Sequence, residues 1–322
     1  MKKAWVIGAG GLLGSHLRAE LQAQSGIQPF IPSALFAWDN SETLLQQFKV
    51  AVEDFARTVA AEDEWMIFWA AGIGTMHSTD QDLAGETYFF THFFQLVLHS
   101  NLNLSKGVFQ FASSAGALYA GSADGVINES SPVFPINPYA KEKLKQEQVL
   151  ENAVLQNPQL TVLVTRISTL YGNRVKQVSN QGLLAKISHQ VVRNQAIHIY
   201  VPLETMRDYI HAQDAASCIV NTTLSIRQKG GGFYMKLVAS EKAYSIAEII
   251  AIFKRAAHKN IKVIHYAIPT AAYYQKNIQY RSSFLKNDLD MSARNLLIGI
   301  AQLLQSERLL YGHPKIHQQK HS

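Results

Sequence analysis

Val6-Ile7-Gly8-Ala9-Gly10-Gly11-Leu12-Leu13-Gly14 is the stretch on which the reading of this chain turns. An apolar run over residues 4–7 reads as a strand, and it passes directly into glycines at every third position and then into helix-forming sequence over 12–22. Gly8 permits the tight turn, Gly11 lets the backbone approach a pyrophosphate, and Gly14 lets helix and strand pack closely. The helix start at Leu12 and Leu13 supplies amide donors and the positive end of a helix dipole. In a strand-turn-helix setting this spacing predicts a dinucleotide site.

Outward from that turn, β-rich runs alternate with helical patterns. Weaker strands fall at 27–31 and 34–38, a helix at 41–60, and a buried strand at 65–70 that ends in Ala71-Gly72. A long helix near 84–99, a strand at 107–112, a helix at 138–153 and a strand at 160–166 follow. That rhythm predicts an α/β protein with a doubly wound parallel sheet. Beyond Tyr171-Gly172 the rhythm loosens into a helix at 183–193, a short strand at 197–201 and a helix at 214–225. Gly230-Gly231-Gly232 then breaks the chain before a strand at 233–238, and Ser245 with Glu248 forms a capping box for one more helix. This half reads as a smaller, substrate-side domain, and the polar stretch after Gly312 as a fraying tail.

Composition narrows the class. A length of 322 residues with 47% hydrophobic and 17% charged fills a sizeable core and excludes a disulfide-stapled module or a disordered chain. The single cysteine, Cys218, cannot form an internal disulfide. Thirty basic against 24 acidic residues give +6, which suits a phosphate-bearing substrate, but the charges are dispersed and do not mark a nucleic-acid partner. His16 and Arg18 interrupt the apolar N-terminal stretch, and no uninterrupted apolar run approaches the ~18 residues of a membrane span. The expectation is a cytoplasmic protein with no membrane partner. His313, His317 and His321 recur every four residues without a carboxylate partner, and no metal site is expected.

The chemistry-bearing constellation is Tyr139-Ala140-Lys141-Glu142-Lys143 at the start of a helix. Residues four apart share a helix face, so the Lys143 ammonium can favour the phenolate of Tyr139, a group that ordinarily titrates near pH 10. Ser113 and Ser114 follow an apolar strand, at the carboxyl end where such sheets bind ligands, and a hydroxyl there can orient a substrate oxygen while the tyrosine moves its proton.

With these residues in order, the sequence resembles the extended short-chain dehydrogenase/reductases, also called the NAD-dependent epimerase/dehydratase family. Ala70-Ala71, Ser113-Ser114-Ala115 with Tyr119, Arg166, Tyr171-Gly172 and above all Arg207-Asp208-Tyr209-Ile210-His211-Ala212-Gln213-Asp214 carry the resemblance. It implies a Rossmann domain for NAD or NADP over residues 1–172, with segments near 207–238 returning to it. Residues 173–322 then form mainly a domain that grips a nucleotide-sugar. The implied catalytic set is Ser114, Tyr139 and Lys143, with Ser113 as the fallback because one extra residue separates the serines from Tyr119. Cofactor contacts fall on Gly8, Gly11, Leu12, Leu13, Gly14, Ala70, Ala71, Tyr139 and Lys143, with Asp39 near the adenine.

The pattern also departs from the family. No acidic residue ends the second strand at Phe30-Ile31-Pro32-Ser33, and no Arg or Lys lies between Arg18 and Lys49, so NAD and NADP both stay open. The stretch between Ile31 and Ser41 is too short for a helix between strands two and three. The asparagine of the fourth helix is missing, with Glu86 and Thr87 nearby. Arg207 and Arg281 are candidate clamps for a substrate diphosphate. The aromatic fourth helix suggests a homodimer interface, against ordinary burial within the subunit. The expected activity is an NAD(P)-dependent nucleotide-sugar epimerase, a nucleotide-sugar 4-ketoreductase being the nearest alternative and a non-catalytic dinucleotide sensor the alternative of another class. Ala115 and Gly116 follow the serine where dehydratases of the family carry Asp-Glu, so no elimination of water is expected.

Overall fold

The computed structural model describes residues 1–72, 74, 78–122, 124–173, 182–266, 278–285 and 293–312. In chain order its elements begin with β1 (Lys2–Ile7), α1 (Leu12–Ala23), β2 (Ile27–Phe30), α2 (Ser41–Thr58), β3 (Glu64–Trp69), α3 (Asp80–Leu98), β4 (Gly107–Ser114), α4 (Ala115–Leu118), β5 (Val126–Ile127), α5 (Pro138–Gln156), β6 (Thr161–Ile167) and β7 (Thr169–Tyr171). There follow α6 (Leu183–Val192), β8 (Ile197–Ile199), β9 (Met206–His211), α7 (Ala212–Arg227), β10 (Gly232–Val238), β11 (Ala243–Ser245), α8 (Ile246–Ala257), β12 (Val263–His265), β13 (Gln279–Tyr280) and α9 (Leu296–Gly312).

Successive side chains of a strand point to opposite faces, and here both faces are apolar. Trp5 and Ile7 of β1, Trp65, Ile67 and Trp69 of β3, Phe109 and Phe111 of β4, and Val162 and Val164 of β6 face one core with α2, α3 and α5. Ala4, Met66, Phe68, Val108 and Leu163 face the other, against Leu13, Leu17 and Leu21 of α1 and Ala215, Ala216 and Ile219 of α7. The result is a six-stranded parallel sheet in the order β10-β6-β4-β3-β1-β2, covered by helices on both sides, as the alternation predicted. β2 and β3 flank β1 on opposite sides, so the chain reverses its winding there and opens a crevice at the carboxyl ends of β1 and β3. A third core joins α6, α8 and α9 with β8 and β9.

One expected strand does not form. Residues 34–38 lie outside any ladder, and Leu35 is 93% exposed. Their backbone is held by the Gln47 side chain, which accepts from Ala37 N at 2.7 Å and donates to Leu35 O at 3.0 Å. Phe36 packs on Phe48 at 5.0 Å and Trp38 lies 6.5 Å from Trp69, so the segment caps the core with rings instead of adding a strand. β2, which contains Pro29, is therefore outermost on that side. At the opposite edge, Glu129 accepts from Leu237 N of β10 at 3.0 Å and from Ser283 N at 2.8 Å, and Lys236 donates to Ser282 at 2.8 Å, which straps residues 278–285 along β10. Burial opposes the charge on Glu129, yet these donors hold its carboxyl below the usual range.

On α3, Phe90, Phe93 and Phe94 are fully buried, and Phe89, Leu96 and Leu98 pack against the same core. Most of the helix's apolar surface is thus consumed within the chain, while Tyr88 stays 56% exposed. Among the described residues, no helix is long and apolar enough to cross a membrane.

Candidate active site

The turn after β1 shows that its glycines play different parts. Gly8 has φ +82°, and a Cβ there would sit 2.6 Å from Ala71 N. A Cβ at Gly14 would lie 2.1 Å from Gly8 O, so α1 rests directly on the turn. Gly11 differs: its Cβ would meet only Gly8 O, at 3.2 Å, and otherwise point into open space. The start of α1 has neither a side-chain cap nor an acidic residue in its first turn. Amides of Leu12 and Leu13, free of side-chain competition beside an open cradle, fit a pyrophosphate. Ala70 N donates to Ile7 O at 3.0 Å, which sets Ala70 and Ala71 beside Gly8. Asp39 is exposed, immediately before Asn40, whose side chain caps α2.

The second half of the site hangs on α5. Asn137 accepts from Ala140 N at 2.9 Å and Pro138 occupies the first helical turn, so the helix starts sharply and puts partly buried Tyr139 at its mouth. Lys143 is one turn on, its Nζ 5.8 Å from the Tyr139 ring centre and 5.1 Å from that of Phe111. It is buried and pairs with Glu86 at 3.0 Å. Burial opposes its charge; the Glu86 carboxylate and the neighbouring Tyr139 more than offset this, and its pKa lies above the usual lysine value. Glu147, a further turn along the same face, takes two hydrogen bonds from Arg166, and Arg166 donates to the Tyr119 hydroxyl at 2.6 Å. The spacing Tyr139, Lys143, Glu147 is a single helical stripe laid across the ends of β4 and β6.

The two serines part company here. Ser113 is buried and donates to Glu147 at 2.6 Å, so its hydroxyl belongs to the network beneath the stripe. Ser114 is partly exposed and caps α4, accepting from Ala117 N at 3.3 Å. Its own proton has no acceptor among the described residues. Arg207 lies on β9 opposite Tyr244, with Nη1 donating to Met206 O at 2.9 Å. Arg281 is on the surface, where it pairs with Glu241 at 3.3 Å. Neighbouring Asp208 is buried and receives Ser168, Ser240 and Lys242 donors; burial nonetheless leaves its pKa raised. Tyr280 stands 6.4 Å from Tyr119, and burial, reinforced by Asp208 and opposed by Arg207, raises its pKa.

Sequence reasoning missed Glu147 and Gln146 and did not foresee that Glu86 would meet Lys143. The i, i+4, i+8 spacing on one helix was a signal for Glu147; Glu86 comes from a different helix and carried none. His211, within the Arg207–Asp214 segment, caps α7 and lies against His16 and Arg294. Among the described residues no three His, Cys, Asp or Glu side chains gather as a metal site, and His313, His317 and His321 lie outside those residues.

The sequence pattern of the NAD dependent epimerase/dehydratase family matches residues 4–231. A UDP-glucose 4-epimerase of Dictyostelium discoideum is 24% identical over 163 residues, 46% of this chain and 47% of that protein. That of Yersinia pestis is 26% identical over 290 residues, 81% of this chain and 84% of its own. The chain thus spans about half of the first relative and most of the second. A UDP-glucose-4-epimerase from Stenotrophomonas maltophila, with bound NAD and formylated UDP-arabinopyranose, superposes with TM-score 0.77 at 15% identity, covering 97% of this chain and 99% of that one.

Proposed function

Since the chain belongs to the NAD dependent epimerase/dehydratase family, we propose that it is an NAD(P)-dependent epimerase that inverts a hydroxyl-bearing carbon of a nucleotide-sugar through a transient keto form. The observation that carries this reading is the stripe on α5, where Tyr139 stands one turn from a buried, charge-paired Lys143. The relatives' substrate makes UDP-glucose the first compound to try.

Gly8, Gly11 and Gly14, with the amides at Leu12 and Leu13, would hold the pyrophosphate of NAD, with Ala70 and Ala71 beside Gly8 as the adjoining wall and Asp39 as the residue for the adenine. Bound NAD supplies the acceptance and return of a hydride. Tyr139 takes the proton from the sugar hydroxyl and gives it back to the same oxygen once the opposite face is presented. The Lys143 ammonium favours negative charge on the Tyr139 oxygen and holds the nicotinamide ribose. Ser114, with its proton uncommitted, donates to the sugar oxygen as it becomes a carbonyl. Arg207 and Arg281 contact the diphosphate, Arg281 exchanging Glu241 for it. Because Ala115 and Gly116 cannot move protons, no water is lost.

Residues 173–322 supply most of the substrate side, with the 207–238 region returning to the dinucleotide unit; the presence of β10 in the large sheet supports this division. Exposed Tyr88 on α3 and Leu155 on α5 support a homodimer through that helix pair, and buried, unpaired Cys218 suits the cytoplasm. Incubation with UDP-glucose and NAD should give the 4-epimer without loss of water. NAD(P)H consumption on a keto-sugar with no epimer would replace this reading by a reductase, and dinucleotide binding without any turnover by a sensor.

A further inference from the structure

We propose that Glu86 is a positioning residue for this reaction: its carboxylate orients Lys143 and fastens it to the backbone that follows β3. The proposal rests on the reading of Tyr139 and Lys143 as the acid/base pair.

The carboxylate divides its two oxygens between two parts of the site. Oε1 accepts from Lys143 Nζ at 3.0 Å, and Oε2 accepts from Gly74 N at 3.0 Å. Two glycines of the loop lie close beside it. A Cβ at Gly72 would come within 2.8 Å of Oε1, and one at Gly74 within 3.0 Å of Oε2 and 3.2 Å of the Tyr139 ring. Gly74 is therefore held among Leu83, Glu86 and Tyr139, and Lys143 bridges Glu86 and the Tyr139 ring. Glu86 lies on α3, the helix on which the family pattern carries an asparagine. A neutral amide would leave the lysine charge unbalanced; a carboxylate balances it.

Stability does not account for such a pair. The Lys143 and Glu86 side chains are 6% and 11% exposed, and a buried ion pair is often no more stabilising than apolar residues of the same volume. The directional constraint is what the pair supplies. An ammonium has three donors; Glu86 Oε1 and Gln146 Oε1, each at 3.0 Å, take two, and these fix where the third points. Gln146 is itself located by donating to Thr87, the next residue of α3, at 3.0 Å. The groups that face Lys143 are Glu86 from α3, the Phe111 ring from β4, and Tyr139, Gln146 and Glu147 from its own helix. Of these, Glu86 is the largest contributor to keeping the lysine charged.

Glu86→Gln removes the charge and keeps the size; Glu86→Asp keeps the charge. In protein labelled with ε-13C-lysine, the Lys143 signal, assigned with Lys143→Arg, should lose its proton at lower pH in Glu86→Gln than in the parent, and Glu86→Asp should restore most of the difference. With UDP-glucose as the probe, kcat of Glu86→Gln should fall roughly tenfold or more, the scale of a misplaced catalytic group, while KM stays within about threefold. Its kcat should also decline earlier on the alkaline side, as Lys143 deprotonates. A Lys143 titration that is the same in parent and Glu86→Gln overturns the proposal, whatever substrate the enzyme uses. So does a moved titration with kcat and its pH profile unchanged. Should Glu86→Gln not fold, the same measurements on Glu86→Asp decide: a parental kcat with a displaced titration overturns it, and both retained supports it. Absence of turnover by the parent on every nucleotide-sugar would instead refute the proposed function, with the Lys143 titration still deciding whether Glu86 governs that lysine.

Discussion

Gly11→Val separates folding from cofactor binding more cleanly than any other change in the glycine turn. Gly11 has φ −74° and ψ 175°, a conformation open to any residue and well suited to a β-branched one. Its Cβ would press only on Gly8 O, at 3.2 Å, so the folded state should change by no more than about 1 kcal/mol. The same side chain fills the cradle beside the bare start of α1, and with it the space a pyrophosphate needs. At a hundredfold excess over its dissociation constant, a ligand that binds only the folded state stabilises by about 2.7 kcal/mol. For a chain of this size that is a rise in Tm on the order of 5 °C. Parent protein should show this rise with NAD in a thermal melt, and Gly11→Val should melt within about 2 °C of the parent without NAD and gain almost nothing with it. A folded variant whose melt still rises by the parental amount would refute the placement of the pyrophosphate. Gly14→Val cannot serve the purpose, because its Cβ would lie 2.1 Å from Gly8 O and the turn itself would not form.

Tyr139→Phe should keep parental NAD affinity and lose roughly 10²-fold or more in turnover of the sugar, the scale of a lost general acid/base; near-parental kcat would remove Tyr139 from the chemistry. Glu147→Gln leaves the buried Arg166 guanidinium without its counter-charge and should destabilise by about 3–5 kcal/mol in denaturant unfolding. A loss below about 1 kcal/mol would mean that Arg166 finds another partner. His211 is held neutral, its pKa pushed down to about 3 by burial and then by Arg294 and His16. The unfolded chain binds a proton there near pH 6.5 and the folded chain does not, so stability is lost as pH falls from 6.5 toward 3. His211→Asn, which can still cap α7, should flatten that acid loss, and parallel pH–stability curves for parent and variant would contradict the assignment.

The turn from Ile7 to Gly14 was legible because Gly8 and Gly14 answer local steric demands that sequence spacing records, while Gly11 leaves open the space beside them. The strands of the central sheet were legible for a similar reason: Trp65 through Trp69 is apolar at every position, as only a strand buried on both faces is. Residues 34–38 misled because Phe36 and Trp38 have strand-like composition, while the deciding partner, Gln47, lies on the next helix. How the α3 aromatics divide between the core and the surface was not legible, because periodicity cannot say how much of a helix its own sheet and neighbouring helices cover: Phe90, Phe93 and Phe94 are buried while Tyr88 stays exposed. Ser113 and Ser114 are adjacent and chemically identical in sequence; only the strand's alternation, which hands Ser113 to Glu147, tells them apart. Glu86 and Lys143 are 57 positions apart, and their meeting is a product of packing α3 against α5.

The two ends of the large sheet bear on how this protein behaves at high concentration. An outermost strand is a template on which another chain can add by backbone pairing, the first step toward fibres and swapped assemblies. β2 is four residues long, and Pro29 has no N–H to offer a newcomer. β10 is longer, but its Leu237 N–H is already given to the Glu129 carboxylate, and the segment that Glu129 and Lys236 hold lies alongside it. Uncontrolled edge-to-edge growth should therefore await loss of that carboxylate's charge or release of that segment, which makes Glu129 a guard against polymerisation under acid as much as a brace within the fold.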